Sequence, residues 1–511
     1  MRRLEVAGTV RGEGAQLRAL ARRAPGLLVA CAVTAVIYAV FSFLNHSHFR
    51  SGTDLAIFDQ AIWHLSRFEW PRSTFLAPWG YGNFFGDHFE PIIVLLAPLY
   101  WVWENVGVLL IVQAVVLAAS IVPVFVFCRR RLGRAGGYLL ALAYVSFWGI
   151  ASAVAFGFHE VAFVPLLLGL IVLAVEDRRW RAFAVLIFVL LLVKENMGIL
   201  VAFIGLYVGV TRREWRKAGI TAAVGVSWFV LATDVIQPLF NDGKAYRHWM
   251  YRAVGRDLTS ALANMVADPT LVPRLFFSGT FDPGPGWATS SKAGTLALIF
   301  APFFGLALAS PIGILLVPLL LERMLAGNPW LWTPYLHYSL TIAPVLVMGS
   351  ADTLARLARW RPLLPRARTV LVGGAAAIAV ANLAVATRFP LRDIVDPRFY
   401  APTAGDLARA RALASVPSEA SVLTGSQMMA HLTHRRDVYE MRSQKKGTEY
   451  IVTDPAEYFW TRWPKAGYVD RQRLFLDKAA EYEPVYSDRN VVVLKQRSTL
   501  VKHDSRRRGE R

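Results

Sequence analysis

The residues best placed to do chemistry lie in one short stretch. Between Ser51 and Pro91 the chain carries Asp54, Asp59, Asp87, His88 and Glu90, with long apolar runs before and after. Ionisable groups beside a bilayer are costly unless paired or solvated, so they ask for a functional reason. A carboxylate there can take a proton from a hydroxyl. Hard oxygen ligands there can hold a divalent cation. Asp54 is the expected base, with Asp59 as the alternative.

Other polar groups interrupt the apolar part of the chain. His159 and Glu160 stand in the turn Phe156-Gly157-Phe158-His159-Glu160. Lys194-Glu195-Asn196 breaks the apolar stretch from Ala182 to Tyr207. His337 and Tyr338 follow Gly327-Asn328-Pro329-Trp330. Each also has an ordinary reading: Asp54 as a helix N-cap, Asp59 as a solvated face, and Lys194-Glu195 as a self-neutralising pair.

These groups need elements to hold them. The chain has 511 residues, 55% hydrophobic and 18% charged, with a net charge of +20. Apolar runs of roughly 17–25 residues match a bilayer core. The fold class is therefore an α-helical polytopic membrane protein with about eleven transmembrane helices. No basic stripe is interleaved with aromatics on a soluble segment, so nucleic acid is not an expected partner. Cys31 and Cys128 both lie in apolar runs and suggest neither a disulfide nor a metal site.

Arginine clusters set the expected topology, because positive loops stay in the cytoplasm. The segment 1–23 is read as cytoplasmic and 24–387 as the transmembrane domain, with the first outer loop at 45–91. Spans are expected at Ala24–Leu44, Val106–Phe127, Ala135–Ala153 and from Val161 to Glu176. Two short spans flank Lys194-Glu195-Asn196, and a seventh covers Ala218–Val235. A long loop follows, about Gln237 to Ser291; then come spans near Ala293–Ala309, Ile312–Leu321, up to Met348, and Val370–Ala386. Asp54, Asp59, Asp87, His88, Glu90, His159, Glu160, Lys194, Glu195, His337 and Tyr338 were not used to set this topology. All of them fall on the outer face.

Leu55, Phe58, Ile62 and Leu65 recur at helical spacing near Trp63, Trp70 and Trp79. This predicts an amphipathic helix lying in the interface, with Asp54 at its start. From Arg388 the composition becomes that of a soluble domain. The region 388–497 is read as a small extracytoplasmic α/β domain and 498–511 as a disordered basic tail. Strands are expected at Ser421–Thr424, Tyr450–Thr453 and Val491–Leu494, and helices at Ala404–Ala414 and Tyr468–Ala480. Thr424-Gly425-Ser426 before a helix would suit an anion or serve only as a connection.

The polar pattern carries a resemblance. Asp54 just after the first span resembles the first acidic motif of the GT-C glycosyltransferases, membrane enzymes that take sugars from polyprenyl-phosphate carriers. Asp87-His88-Phe89-Glu90-Pro91 is similar to their Lys/His-Pro-Pro motif, without the Pro-Pro. Glu160 stands at the place of their second acidic motif. More narrowly, Thr53-Asp54-Leu55-Ala56-Ile57-Phe58-Asp59-Gln60 and Gly86 to Pro91 resemble the marks of a bacterial multi-pass family of unknown function.

The resemblance implies sugar transfer from a polyprenyl-phosphate donor to an envelope acceptor on the outer face of the bacterial plasma membrane. Asp54, Asp59, Asp87, His88 and Glu160 are the expected catalytic residues. Lys194, Glu195, His159, Glu90, His337 and Tyr338 are the expected substrate-binding residues. Lys194 and His88 would stabilise the leaving phosphate. Asp87 or Glu160 would hold a divalent metal such as Mg or Mn. Two other classes fit the same sequence: a transporter or flippase of a lipid-linked or anionic solute, and a non-enzymatic membrane scaffold.

Overall fold

The computed structural model describes residues 25–80, 82–283, 288–443, 447–454 and 481–497. The segment 1–23, the helix expected at Tyr468–Ala480 and the basic tail lie outside the described residues. The first helix, α1 (Pro25–Ser47), is followed by α2 (Thr53–Ser66), then α3 (Gly107–Ala119) and α4 (Ile121–Val145). The chain continues through α5 (Trp148–Phe156), α6 (Phe163–Glu176), α7 (Trp180–Leu191), α8 (Met197–Arg212) and α9 (Trp215–Val230). The later apolar helices are α10 (Lys292–Phe300), α11 (Leu316–Met324), α12 (Ala343–Leu357) and α13 (Gly374–Ala386).

Among the described residues, five helical stretches are long and apolar enough to cross a membrane: Pro25–Ser47, Gly107–Val145, Trp215–Phe240, His337–Leu357 and Thr369–Ala386. The remaining apolar chain is cut into shorter helices. Local geometry explains the cuts. The spans expected at Val106–Phe127 and Ala135–Ala153 are parted by a kink at Gly133, where φ is 79. The span expected at Ala293–Ala309 breaks at Phe304 and Gly305, both at positive φ. α7 and α8 are separated by Leu192–Asn196, as the interruption by Lys194-Glu195-Asn196 predicts. α8 packs closely on α9 because glycines face each other. A Cβ on Gly198 would come within 2.4 Å of the Gly225 carbonyl oxygen, and such small residues let helix backbones touch.

The helices separate two kinds of charge. Glu160 stands just before α6, and Glu176 and Asp177 stand at its other end, where they pair with Arg131 and Arg130. Fourteen residues of α6 hold these ends about 21 Å apart. Likewise α7 and α8 carry arginines at their far ends and share Lys194 and Glu195 at the near one.

Among the described residues, the C-terminal part is a five-stranded mixed sheet with one α-helix, α14 (Ala404–Ala414). Its strands follow a two-stranded pair, β1 (Thr280–Phe281) and β2 (Ser290–Ser291), in the long loop. They are β3 (Val422–Thr424), β4 (Val438–Glu440), β5 (Tyr450–Thr453), β6 (Tyr482–Asp488) and β7 (Val491–Gln496), in the order β4-β3-β5-β7-β6. β3 pairs in parallel with β4 and β5, while β7 runs antiparallel to both its neighbours. Thr403 caps α14 in a reciprocal box with Asp406. After β3 the turn at Thr424-Gly425-Ser426 leads into no α-helix, and Ser426 donates to Glu440. No helix start is there to hold an anion, so the turn serves as a connection.

α2 differs from its expected setting. Leu55, Ala56, Ile62 and Trp63 are all buried, and so are Asp59, Gln60 and His64. The helix does not lie half in lipid. It is enclosed because the C-terminal domain covers the face that the sequence reading left to the membrane surface.

Candidate functional site

Gly52 takes the N-cap position before α2, and Asp54 makes no capping hydrogen bond. The capping reading of Asp54 therefore fails, and its carboxylate turns to His159 instead. Oδ2 of Asp54 lies 3.0 Å from Nε2 of His159. The turn that delivers His159 needs Gly157, which sits at φ 103 with Leu55 packed against it. The His159 backbone N–H donates to Gln113 Oε1 at 3.1 Å. Its ring packs on both Phe156 and His337, with centroids 5.0 Å and 3.8 Å away, and those two rings also touch each other at 5.8 Å. Tyr338 tilts against His337 at 4.2 Å. Nδ1 of His337 is buried with no hydrogen-bond partner among the described residues.

A second group forms around Glu195. It receives His88 Nδ1 at 2.7 Å, the Phe89 N–H at 3.0 Å and the Tyr246 hydroxyl at 3.2 Å. His88 stacks on His248 at 3.7 Å, and His248 Nε2 lies 3.0 Å from Asp87 Oδ1. Arg247 approaches the same oxygen at 3.3 Å. In the third group Lys194 Nζ bridges Glu90 at 2.5 Å and Glu160 at 2.8 Å.

The three groups share backbone. Residues 87–90, 159–160 and 194–195 each supply neighbouring side chains to different groups, so the groups cannot move apart. The structure thus brings together Asp54, Asp87, His88, Glu90, His159, Glu160, Lys194, Glu195, His337 and Tyr338. It does not bring Asp59 to them. Asp59 is fully buried, accepts from Tyr100 and Thr433, and lies 3.0 Å from His434. Five positions along a helix amount to about 140° of rotation, which points Asp54 and Asp59 to different sides. Sequence reading missed Tyr246, Arg247 and His248, which come from the long loop. The run Tyr246-Arg247-His248-Trp249 has no periodicity to mark it.

The electrostatics separate these carboxylates. Burial pushes the Asp54 carboxyl up, but the His159 hydrogen bond and the charges of His159, Lys194 and His88 outweigh it. The result lies below the ordinary value of 3.8. Asp87 is likewise opposed by burial and pulled well below that value by His248, His88 and Arg247. Glu90 goes the other way. Burial and the neighbouring Glu160 raise it far above its ordinary value, against the pull of Lys194.

Two sets of side chains offer three ligand atoms within 4.8 Å of one another: Asp54, His159 and His337, and Asp87, His88 and His248. A donor set of one carboxylate and two imidazoles suits Mn or Zn better than Mg. The orphaned Nδ1 of His337 fits such a ligand role. Of the two residues expected to hold a metal, Asp87 belongs to one set, whereas Glu160 belongs to neither and pairs with Lys194.

No curated protein matches the sequence significantly. Among solved structures, the chain superposes on ArnT from Cupriavidus metallidurans bound to undecaprenyl phosphate with a TM-score of 0.53. The identity is 14%, and the match covers 93% of this chain and 99% of that one. The archaeal oligosaccharyltransferase AglB from Archaeoglobus fulgidus, in complex with an inhibitory peptide and a dolichol-phosphate, matches at TM-score 0.44. Its identity is 13%, with 93% of this chain and 74% of that one covered. The likeness to ArnT is one of fold, and the fold resembles that of the GT-C glycosyltransferases. The sequence profile of a family described as predicted membrane proteins, DUF2079, matches residues 45–493, and the chain belongs to that family.

Proposed function

We propose that this protein transfers a sugar from a polyprenyl-phosphate carrier to a hydroxyl of an envelope acceptor, on the outer face of the bacterial plasma membrane. One observation carries the reading. The Asp54 side chain is 41% exposed, whereas those of Asp87, Glu90, Glu160 and Glu195 are exposed by 10%, 1%, 1% and 0%. Every carboxylate of the site is tied to a cation or an imidazole, but only Asp54 also faces open space. His159 holds Oδ2, which leaves Oδ1 to take the acceptor proton.

The phosphate falls to His88. Glu195 holds its Nδ1, and the side chain is 24% exposed, so Nε2 can donate to a leaving phosphate. Lys194, the other expected phosphate ligand, is instead held between two carboxylates. We assign the carrier tail to a nearby groove. An open apolar groove of about 440 Å³ is lined by Leu191, Ile220, Ala223, Val224, Ser227 and Trp228. Trp228 packs on Phe89, next to His88, with ring centroids 5.8 Å apart. ArnT, of like fold, was solved with undecaprenyl phosphate, which supports a carrier of that class. A metal held by Asp87, His88 and His248 would take the His88 Nε2 that otherwise donates to the phosphate, and would itself supply the positive charge there. The transport alternative needs Lys194, Glu195, His159 and Glu160 as mobile charges, yet each is paired at 3.0 Å or less.

Two results are expected. His88→Ala should lower formation of the product roughly 100-fold, as loss of one charge-stabilising donor does. Product in a deletion strain carrying the variant, normalised to protein level, measures it; unchanged product removes His88 from the reading. Sidedness is tested in a variant lacking Cys31 and Cys128. Ser418→Cys should react with an impermeant maleimide in spheroplasts, and Arg359→Cys only after lysis. The reverse pattern overturns the outer placement of the site.

A further inference from the structure

Asp59 is a fully buried carboxylate that the proposed reaction does not use. It lies on α2, the helix that also carries Asp54. Its donors come from two places. Tyr100 belongs to the short helical segment Pro91–Trp101, and Thr433 belongs to the C-terminal domain. His434 of that domain lies 3.0 Å from Oδ2 and stacks on Trp63 of α2 at 6.2 Å.

The next residue makes the same kind of link. Gln60, also fully buried, donates to the Arg435 carbonyl at 3.0 Å. Its oxygen accepts from the Thr74 N–H at 2.8 Å, and the Thr74 hydroxyl donates onward to the Val438 carbonyl. Arg435 is buried against the carbonyls of Leu432, Pro417 and Ala420. At the far end of α2, His64 and Arg436 share Glu69 at 2.7 Å and 2.9 Å. Before α2, His46 stacks on His431 at 3.9 Å, and His48 reaches Asp406 at 2.8 Å.

We propose that Asp59 is a positioning residue, through which the 431–438 segment of the C-terminal domain fixes the rotation of α2 and so the aim of Asp54. This rests on the reading of Asp54 as the base. The physics is that of a buried charge. A fully buried carboxylate is tolerated only while its donors are in place. If the domain lifts away, Asp59 keeps Tyr100 alone and loses Thr433 and His434. α2 must then turn or admit water to satisfy it, and Asp54 turns with the same rigid helix. A misplacement of about 1 Å is enough to cost roughly 100-fold in rate.

The test uses the full-length protein in nanodiscs and in a deletion strain, with Asp59→Asn and Thr433→Val. Asn places an NH2 group against a donor, and Val removes one donor while keeping shape. Three things are read: trypsin cleavage after Arg435, binding of undecaprenyl phosphate, and envelope product per protein. We expect faster cleavage after Arg435, undecaprenyl phosphate binding within about twofold of wild type, and product down about 100-fold for Asp59→Asn, less for Thr433→Val. Unchanged cleavage in both variants overturns the proposal, whatever the activity. Faster cleavage with normal product overturns it too, because docking would then not aim Asp54. Loss of undecaprenyl phosphate binding together with product shows a general structural defect and also overturns it. Should Asp59→Asn fail to accumulate, Thr433→Val decides by the same readouts. Failure of the sugar-transfer reading looks different: wild type would then bind no undecaprenyl phosphate, while the cleavage readout would still report docking.

Discussion

Asp54→Asn is expected to lower product formation roughly 100-fold or more while leaving the protein folded. Asparagine is nearly the same shape, and its oxygen can still accept from His159. It cannot take a proton. Gly52 holds the N-cap, so the substitution costs no cap. Asp54→Ala should be as inactive and no more stable. The comparison is made on product per protein and on melting temperature, and an Asn variant with wild-type output removes Asp54 as the base. The pH dependence follows. The folded Asp54 carboxyl sits below 3.8, so it is ionised throughout pH 5–8 and gives the rate no acid limb there. Its contribution to stability is present above the unfolded value and lost as pH falls through the folded one.

Lys194→Met should be the most damaging substitution for stability. The ammonium lies between Glu90 and Glu160, whose side chains are each 1% exposed. Glu90 Oε2 and Glu160 Oε2 already lack partners among the described residues. Removing the cation leaves two carboxylates facing each other in a dry site. Breaking a buried pair from one side costs about 3–5 kcal/mol. The triple variant Lys194→Met, Glu90→Gln, Glu160→Gln should regain most of that loss, because no charge is then stranded. Thermal melting in detergent reads both, and a Lys194→Met variant melting like wild type would show that the triad does not hold the loops together.

Much of the site was legible in the sequence, for a physical reason. Arginines mark one side of the helices, and the polar groups left over mark the other. His159-Glu160 and Lys194-Glu195 were therefore found without any knowledge of packing. Their partners were not. Lys194 could face a phosphate or a carboxylate with equal propriety, and only the approach of residues 90 and 160 decides. Asp59 read as an alternative base because it shares a helix with Asp54; its distance around the helix mattered only once the C-terminal domain covered that side. The enclosure of α2 itself was hidden, since a helix buried by a later domain has the same apolar spacing as one lying on lipid.

The smaller domain shows the same split. Helix Ala404–Ala414 was legible in the sequence, and the structure adds its Thr403 cap. β4 was missed because three residues, Val438-Tyr439-Glu440, give too little alternation. β6 was missed because Pro484 argues against a strand; there the register slips at a bulge between Pro484 and Tyr486. Among the spans, the break at Phe304-Gly305 is a positive-φ event inside an apolar run, which hydropathy does not register, whereas Gly133 lies within the Arg129–Arg134 cluster that already parts the two expected spans.

The central claim is that a sugar leaves a polyprenyl phosphate at Asp54. Mass spectrometry of the lipid and glycan fractions tests it most directly, in a deletion strain carrying nothing, the wild-type gene or Asp54→Asn. The account predicts that the empty and Asp54→Asn strains accumulate one polyprenyl-phosphate-linked sugar and lack one envelope glycan, and that wild type restores both. Identical lipid and glycan profiles in all three strains would contradict it.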